Sequence, residues 1–284
     1  EIGYRMHTTA MKMCRAGVVE REIAGAIEGI AKSYGQGVSF PSIVSQHGET
    51  LHNLNCDGVL TDGRLLLVDA GGESVEGYCS DHTRTYPVSG RFTERQREIY
   101  EIALAAHDGM LDIVKPGMMY RDIHRACYLS LAEGLRQAGL IRSSAETAVD
   151  AGAMYLFMPH GLAHGMGMDV HDLENIGERS FDFSTISERA ERSATCIYRS
   201  AWRVEEGTVM SDEPGIYFIP ALIDKSRAEG LYKGIVDYDA LDAYRDFGGI
   251  RIEDDILVTA DGCRFIGDKL LPVTVDELEA VVGK

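Results

Sequence analysis

Apolar residues recur at helical spacing through the first part of the chain. From Ile2 to Ala31 they fall three and four positions apart, with a break near Arg15-Ala16-Gly17. A period of about 3.6 residues is typical of an amphipathic helix, and a glycine between two such stretches favours a turn. The segment therefore predicts two helices, or one helix with a break.

A second helical region is predicted between residues 93 and 139. Thr93 is followed three residues later by Gln96, which is the pattern of a capping box, and the apolar period continues to Val114. A Lys-Pro-Gly stretch then ends this helix. Tyr120 to Ala138 predicts another amphipathic helix, with Gly139 placed to cap its C-terminus.

β-Strands are predicted in both halves of the chain. One of them is a continuous run of Leu and Val, which suits a strand that is buried on both faces. The predicted strands are Val38–Ser45, Arg64–Val68, Thr208–Ile219 and Gly249–Thr259.

One nine-residue pattern occurs twice, 100 residues apart. Residues 15–23 and 115–123 share a basic first residue, Gly third, Arg seventh, an acidic eighth residue and Ile ninth. Both copies follow one predicted helix and open another, which indicates two related halves of helices followed by sheet. Chance similarity is the alternative, because turns between helices are restricted in composition.

Composition and charge exclude several classes of protein. The 284 residues are 45% hydrophobic and 26% charged, which excludes collagen-like and disordered chains. The net charge of −17 repels phosphate backbones and anionic lipid, so we expect neither nucleic acid nor a membrane surface as partner. The longest uncharged stretch, 151–168, is broken by proline and glycines, so no membrane span is predicted.

The cysteines indicate a reducing compartment. They lie far apart, without a Cys-x-x-Cys pair, so we expect reduced thiols and a cytoplasmic protein. The six are Cys14, Cys56, Cys79, Cys127, Cys196 and Cys263.

Two aspartates are candidates for a shared site. Asp69 ends the strand predicted at 64–68, and Asp81 follows 12 residues later. Either residue alone is typical of a turn. A hairpin of this length brings both carboxylates together, and that costs electrostatic energy unless a cation or a proton lies between them.

Histidines and further acids extend this set. Residues 159–172 carry three histidines among glycines, which favours imidazoles in a close-packed pocket. Two glutamates, at 213 and 253, lie in otherwise apolar strands, where a carboxylate needs a partner or a metal. Mostly oxygen ligands with one nitrogen suit Mn or Co better than a structural Zn site. The pattern favours metal-assisted hydrolysis at a two-metal centre.

Six segments together resemble the pita-bread (creatinase/aminopeptidase) metallopeptidases, in the proline-specific branch of Xaa-Pro dipeptidase (prolidase) and aminopeptidase P. The resemblance implies an α+β fold with two pseudo-symmetric halves around a curved antiparallel sheet and helices on the outer face. The segments are Asp-Ala-Gly-Gly-Glu at 69–73, Ser-Asp-His-Thr-Arg-Thr-Tyr-Pro-Val at 80–88, His-Gly-Leu-Ala-His at 160–164, Asp-Val-His-Asp at 169–172, Glu-Pro-Gly-Ile-Tyr at 213–217 and Gly-Ile-Arg-Ile-Glu-Asp at 249–254.

The resemblance implies a metal-ligand set for two divalent ions, with Mn expected and Co or Zn as alternatives. Asp69 is expected on one ion, Asp81 and Glu253 between both, and His164 and Glu213 on the other. Glu213 is also expected to accept a proton from the bridging water.

The same resemblance implies a set of substrate-binding and catalytic residues. His171 is expected to bond the scissile carbonyl or its oxyanion. His160 and His52 resemble the two outer histidines on the proline side of the cleft, and Arg199 resembles an arginine that meets the carboxylate of a dipeptide. Arg251 is expected beside Glu253, with Thr83 near Asp81.

The expected reaction is hydrolysis of Xaa-Pro bonds in dipeptides or short peptides by attack of a metal-bridging hydroxide. The 40 residues from Glu213 to Glu253 resemble the longer form in prolidases, whereas Asp-Ala-Gly and Asp-His-Thr-Arg-Thr resemble aminopeptidase P. Prolidase is therefore slightly favoured, with removal of the residue before proline by aminopeptidase P as the alternative. A non-catalytic peptide-binding module and creatine-type amidinohydrolysis on the same scaffold are weaker alternatives.

Two features depart from the family pattern. His82 stands where an apolar residue is usual, so it either faces solvent or alters metal preference, and residues 177–195 are expected to form a surface loop. The chain opens inside a predicted helix without an initiator Met. We therefore expect 1–284 to be a single catalytic domain lacking an N-terminal domain, and the full-length protein to be a homodimer.

Overall fold

Helices and strands alternate in blocks along the chain. The computed structural model describes residues 1–172 and 203–284. In these residues the α-helices are α1 (Ile2–Met13), α2 (Glu20–Tyr34), α3 (Glu94–Ile113), α4 (Tyr120–Gln137), α5 (Ala145–Asp150), α6 (Pro220–Ala228), α7 (Tyr238–Leu241) and α8 (Val275–Val281). Short 3-10 helices cover Ala153–Leu156 and Asp242–Tyr244.

The strands pair antiparallel. They are β1 (Gly37–Val38), β2 (Ile43–Ser45), β3 (Leu65–Asp69), β4 (Gly72–Glu73), β5 (Thr83–Pro87), β6 (Val209–Asp212), β7 (Gly215–Tyr217), β8 (Gly249–Arg251), β9 (Asp254–Val258) and β10 (Cys263–Phe265). One three-stranded sheet has the order β2-β3-β5 and another β10-β9-β6, while β1 pairs with β4 and β7 with β8. An isolated bridge between Thr83 and Glu253 joins β5 to the start of β9.

The predicted helices are confirmed, with ends within a few residues of those expected. The capping box at the start of α3 is present, because Thr93 Oγ1 accepts from Gln96 N at 3.2 Å and Gln96 Oε1 accepts from Thr93 N at 3.0 Å. Gly139 follows α4 with a φ of +78°, and Leu140 N donates to Leu135 O at 2.9 Å. This is the left-handed glycine cap expected there.

The nine-residue repeat corresponds to the same turn in each half. Gly17 has a φ of +87° and Gly117 a φ of +90°, a backbone region that glycine enters at little cost. Gly17 N donates to Leu60 O at 2.9 Å, and Gly117 N donates to Val204 O at 2.7 Å. Two related helix pairs, α1 with α2 and α3 with α4, therefore make equivalent backbone hydrogen bonds to the segments that precede β3 and β6, which supports two related halves.

The predicted strands are in the right places, and Arg64–Val68 corresponds to Leu65–Asp69, but the other three were predicted too long. Thr208–Ile219 divides into β6 and β7 at Glu213-Pro214, where proline has no N–H to donate. Gly249–Thr259 divides into β8 and β9 at Ile252-Glu253. Both interruptions fall on acidic residues of the candidate site. Val38–Ser45 divides in the same way into two short strands.

Two further expectations concern thiols and membranes. Within the described ranges the cysteines are free thiols, as expected, and Cys196 lies outside those ranges. No helix in the same ranges is long and apolar enough to cross a membrane. The loop predicted at 177–195 also lies outside the described residues.

A buried histidine on α4 packs beside the loop that precedes His164. His124 is fully buried, its ring lies 4.3 Å from that of Tyr128, and Leu162 N donates to its Nδ1 at 3.4 Å. Burial lowers the pKa of His124 to about 3. The folded chain therefore keeps this imidazole neutral at pH values where the unfolded chain protonates it.

This difference predicts an acid-dependent loss of stability. Above pH 6.5 His124 is neutral in both states; as the pH falls from 7 to 5, only the unfolded chain gains the proton. The free energy of unfolding should fall by about 2 kcal/mol more in the unsubstituted chain than in His124→Asn, in which that proton has no site. Urea unfolding in chelator at both pH values measures this, and an equal fall in the two proteins would contradict it.

Candidate metal centre

The candidate site lies where the two three-stranded sheets meet. Glu253 N donates to Thr83 O at 3.0 Å, and the Thr83 hydroxyl donates to Glu253 Oε2 at 2.6 Å. In the hairpin of β3 and β5, Asp69 stands directly opposite Thr83. The hairpin predicted from Asp69 and Asp81 is therefore present, and it delivers both aspartates to the sheet junction.

Three predicted site residues meet at this junction. Asp81, His164 and Glu253 are buried, and each offers a ligand atom within 4.8 Å of the others. His164 Nε2 lies 3.4 Å from Asp81 Oδ2 and 3.7 Å from Glu213 Oε1. Four of the five expected metal-ligand positions are thus joined by short distances between atoms that can bind a metal.

The fifth position, Asp69, is tied to the same group through an arginine. Arg251 is buried, and its Nη2 donates to Asp69 Oδ2 while its Nε donates to Thr83 Oγ1 at 3.1 Å. Arg251 Nε also lies 3.8 Å from Glu253 Oε2. This one guanidinium sits among several carboxylates and neutralises only part of their charge.

The electrostatics of the group require a further positive charge or protons. Burial, and then the negative charges of Glu253 and Asp69, raise the pKa of Asp81 well above its ordinary value. Burial, and then Glu213 and Asp69, do the same to the pKa of Glu253, although Arg251 and the Thr83 hydroxyl oppose the change. Buried carboxylates at this spacing ionise together only when cations lie between them.

The residues fit a divalent metal site. Asp69 Oδ1 and Asp81 Oδ1 are buried atoms with no hydrogen-bond partner in the described part of the chain. Such atoms are costly to bury unless another group satisfies them. Carboxylate oxygens with one imidazole are suitable donors for a divalent cation of the Mn or Co type.

The remaining predicted residues occupy different places. His160 Nε2 lies 3.0 Å from the Tyr217 hydroxyl and its Nδ1 lies 3.7 Å from Glu213 Oε2. The His171 ring lies 4.2 Å from that of His164. His52 is exposed on the loop that follows β2. Arg199 lies outside the described residues.

Residues 1–260 match Metallopeptidase family M24. The chain belongs to this family. It is 33% identical over 292 residues to the Xaa-Pro dipeptidase of Mus musculus, covering 99% of the chain and 57% of that protein. It is 31% identical over 295 residues to "Probable Xaa-Pro aminopeptidase pepP" of Talaromyces marneffei, covering 100% of the chain and 60% of that protein.

The fold agrees with this membership of family M24. The aminopeptidase PepP of Pseudomonas aeruginosa superposes with a TM-score of 0.78 and 30% identity, over 99% of the chain and 56% of that protein. The predicted α+β pita-bread fold is therefore confirmed. The chain spans 57% to 60% of the length of the two curated relatives.

Three polar residues beside the candidate site were not predicted from the sequence. The Tyr217 hydroxyl is hydrogen-bonded to His160 and accepts from Arg251 Nη1 at 2.9 Å. The Ser211 hydroxyl donates to Glu213 Oε1 at 3.3 Å. Asp255 Oδ2 accepts from Asp81 N at 3.2 Å. Each lies two or four residues from a predicted ligand. Alternation of side chains along a strand was the signal that could have found them.

His82 does not face solvent. Its side chain is only 15% exposed, and its Nδ1 lies 3.3 Å from Asp254 Oδ1. A side chain built at Gly3 would come within 2.6 Å of the His82 ring, so α1 packs directly over it. The solvent-facing interpretation is therefore wrong, and this histidine belongs to the buried polar group behind the M24 site.

The short bond between Thr83 and Glu253 yields a stability prediction. Thr83→Val keeps the side-chain shape but leaves Glu253 Oε2 and Arg251 Nε without the hydroxyl. We expect the free energy of unfolding at pH 7 in chelator to fall by about 1–3 kcal/mol, because buried polar groups lose a partner. Thr83→Ser, which retains the hydroxyl, is the control, and equal stability of the Val and Ser proteins in urea would contradict the bond's importance.

Proposed function

We propose that the chain is a dinuclear-metal hydrolase of Xaa-Pro bonds, acting as an Xaa-Pro dipeptidase. The observation that carries this proposal is the buried meeting of Asp81, His164 and Glu253 within 4.8 Å, in a chain of family M24. The Xaa-Pro dipeptidase name of a relative of 33% identity supports the substrate class. Xaa-Pro aminopeptidase is the second candidate, which the fold match to aminopeptidase PepP favours.

In this proposal the ligand set is the one that the family resemblance implies. Asp69 would hold one ion, His164 and Glu213 would hold the other, and Asp81 and Glu253 would be shared between them. Four carboxylates carry a charge of −4, which two divalent cations balance. Mn is the proposed metal, with Co or Zn as alternatives. Two bound divalent cations would lower the pKa of a bound water and polarise the carbonyl of the substrate.

The chain's own groups then move the protons and orient the substrate. Glu213 takes a proton from the attacking water at a carboxylate oxygen and transfers it to the proline nitrogen as the C–N bond breaks. His171 donates to the carbonyl oxygen as negative charge develops there. His160, held by the Tyr217 hydroxyl at 3.0 Å, borders the proline side of the cleft together with His52.

Arg251 and Arg199 complete the substrate-side proposal. Arg251 fixes the orientation of Asp69 and lies beside Glu253, so it supports ligands as well as the substrate end of the cleft. Arg199 is proposed to meet the carboxylate of a dipeptide. A carboxylate-binding arginine favours a substrate that ends at proline, because a longer peptide carries no charge at that point.

A tertiary amide explains the proposed preference for proline. The Xaa-Pro bond has no N–H, so a peptidase that recognises that N–H loses a contact. A site that relies on carbonyl polarisation and a ring pocket loses nothing.

We further propose that 1–284 acts as one catalytic domain, that the full-length protein is a cytoplasmic homodimer, and that its substrates are small peptides.

The first test compares two substrates with and without metal. We expect Mn-dependent cleavage of an Xaa-Pro dipeptide, abolished by chelator and restored by Mn. Cleavage of an Xaa-Pro-Yaa tripeptide in preference to the dipeptide would move the assignment to aminopeptidase. Liquid chromatography of the products measures both. Cleavage of neither peptide by a protein that binds metal would favour the binding-module alternative.

Variants of the ligands connect this activity to the proposed site. Asp81→Asn and Glu253→Gln should each lose metal equivalents and hydrolysis together, measured by elemental analysis after gel filtration. Asp57→Asn is the control, since Asp57 is 69% exposed and pairs with Arg21. Full metal content with full hydrolysis in either ligand variant would make the ligand assignment wrong.

His171 is expected to act on the transition state rather than on the metal. His171→Ala should keep both metal equivalents, while kcat falls by about 100- to 1000-fold. KM should change little, because the proposed bond strengthens only as the oxyanion forms. Steady-state kinetics at saturating Mn test this, and loss of metal in His171→Ala would instead give this histidine a ligand role.

A further inference from the structure

A second polar group lies behind the candidate metal centre. Asp254 follows Glu253 directly, so its side chain points to the opposite face of the strand. It is buried, and three basic side chains surround its carboxylate. We call Asp254, Arg84, His107 and His82 the Asp254 cluster.

Arg84 makes the most contacts in the Asp254 cluster. It is 1% exposed, and its Nη2 donates to both carboxylate oxygens of Asp254, at 3.0 and 2.7 Å. Its Nη1 donates to Thr83 O at 3.0 Å and Glu253 O at 2.9 Å, and its Nε donates to Pro272 O at 2.9 Å. All three guanidinium nitrogens are therefore engaged, in a geometry that a lysine cannot reproduce.

The two histidines of the Asp254 cluster each lie close to one carboxylate oxygen of Asp254. His107 on α3 is fully buried, its Nε2 lies 3.1 Å from Asp254 Oδ2, and its ring stacks on that of Phe265 at 5.0 Å. His82 Nδ1 lies 3.3 Å from Asp254 Oδ1 on the side of α1. One residue of α3 and one residue of the loop before β5 thus flank the carboxylate that Arg84 binds.

The contacts of Arg84 join the two segments that carry Asp81 and Glu253. Arg84 lies three residues after Asp81, and the backbone it bonds belongs to Glu253 itself. The two residues proposed to bridge the metals therefore lie on segments that one guanidinium holds together from behind. Supporting contacts of this kind orient ligands, and their removal typically weakens metal binding about 10- to 100-fold.

We propose that Arg84 is a positioning residue, which sets the separation of Asp81 and Glu253 through Asp254 and the Glu253 carbonyl and thereby sets the affinity for the metal pair. This inference rests on the proposed two-metal function. It assigns no contact between Arg84 and substrate or metal.

The test measures metal affinity separately from stability. In Arg84→Lys, the Mn dissociation constant from chelator competition should rise about 10- to 100-fold. At saturating Mn, kcat should fall with little change in KM. Tyr100→Phe is the matched control. Its hydroxyl donates to Val273 O at 2.6 Å, next to the Pro272 carbonyl that Arg84 binds, and in the described residues this hydroxyl makes no hydrogen bond to Glu253 or Asp254. We expect Tyr100→Phe to unfold at lower urea and to bind Mn as the unsubstituted protein does.

A second variant keeps the proposal testable if Arg84→Lys does not fold. Asp254→Asn preserves the side-chain volume and an acceptor for Arg84 while removing the charge. We expect its Mn dissociation constant to rise, as in Arg84→Lys. Unchanged Mn affinity in a folded Arg84→Lys or Asp254→Asn protein would overturn the positioning role and leave the proposed function intact. Absence of Mn, Co and Zn binding by the unsubstituted protein would overturn both.

Discussion

The structure depends on how buried negative charge is balanced where two sheets meet. Asp69, Asp81, Glu213 and Glu253 are all buried within one small region. Taking several carboxylates out of water is unfavourable unless cations, protons or hydrogen bonds compensate them. Arg251 supplies one fixed positive charge on this face. The remaining negative charge makes the region suitable for a divalent cation, and burial together with this charge raises the pKa values of Asp81 and Glu253.

Alternation along the strands separates this charge onto two faces. Thr83, Glu253 and Arg251 point towards the candidate metal centre, whereas Arg84 and Asp254 point behind it. Each face therefore has one buried arginine, and each arginine binds an aspartate. Arg251 bonds side chains of the centre directly, while Arg84 bonds the backbone that carries them. Arg251 can thus orient the side chains of the centre, and Arg84 can set the separation of the segments that carry them.

Much of the fold and of the site could be predicted from local sequence. The helix pairs followed from apolar spacing and the Thr93 cap, and Asp81, His164 and Glu253 from acids and imidazoles in apolar surroundings. Strand ends were less predictable, because two of the ladders stop at Glu213 and Glu253, whose side chains are candidate ligands of the site. The environment of His82 could not be read locally, since its partners come from α1 and β9, distant in sequence.

Equivalent positions of the internal repeat anchor two loops that carry predicted site histidines. At equivalent positions of the repeat, α2 begins with Glu20 and α4 with Tyr120. The Glu20 carboxylate accepts from Gln46 N at 2.8 Å and Gly58 N at 3.0 Å, which are the two ends of the loop that carries His52. The Tyr120 hydroxyl accepts from Ala163 N at 2.5 Å, within the loop that carries the histidines at 160 and 164. The two halves thus use one helix position to anchor two loops that carry predicted site histidines, with a side chain of different chemistry in each.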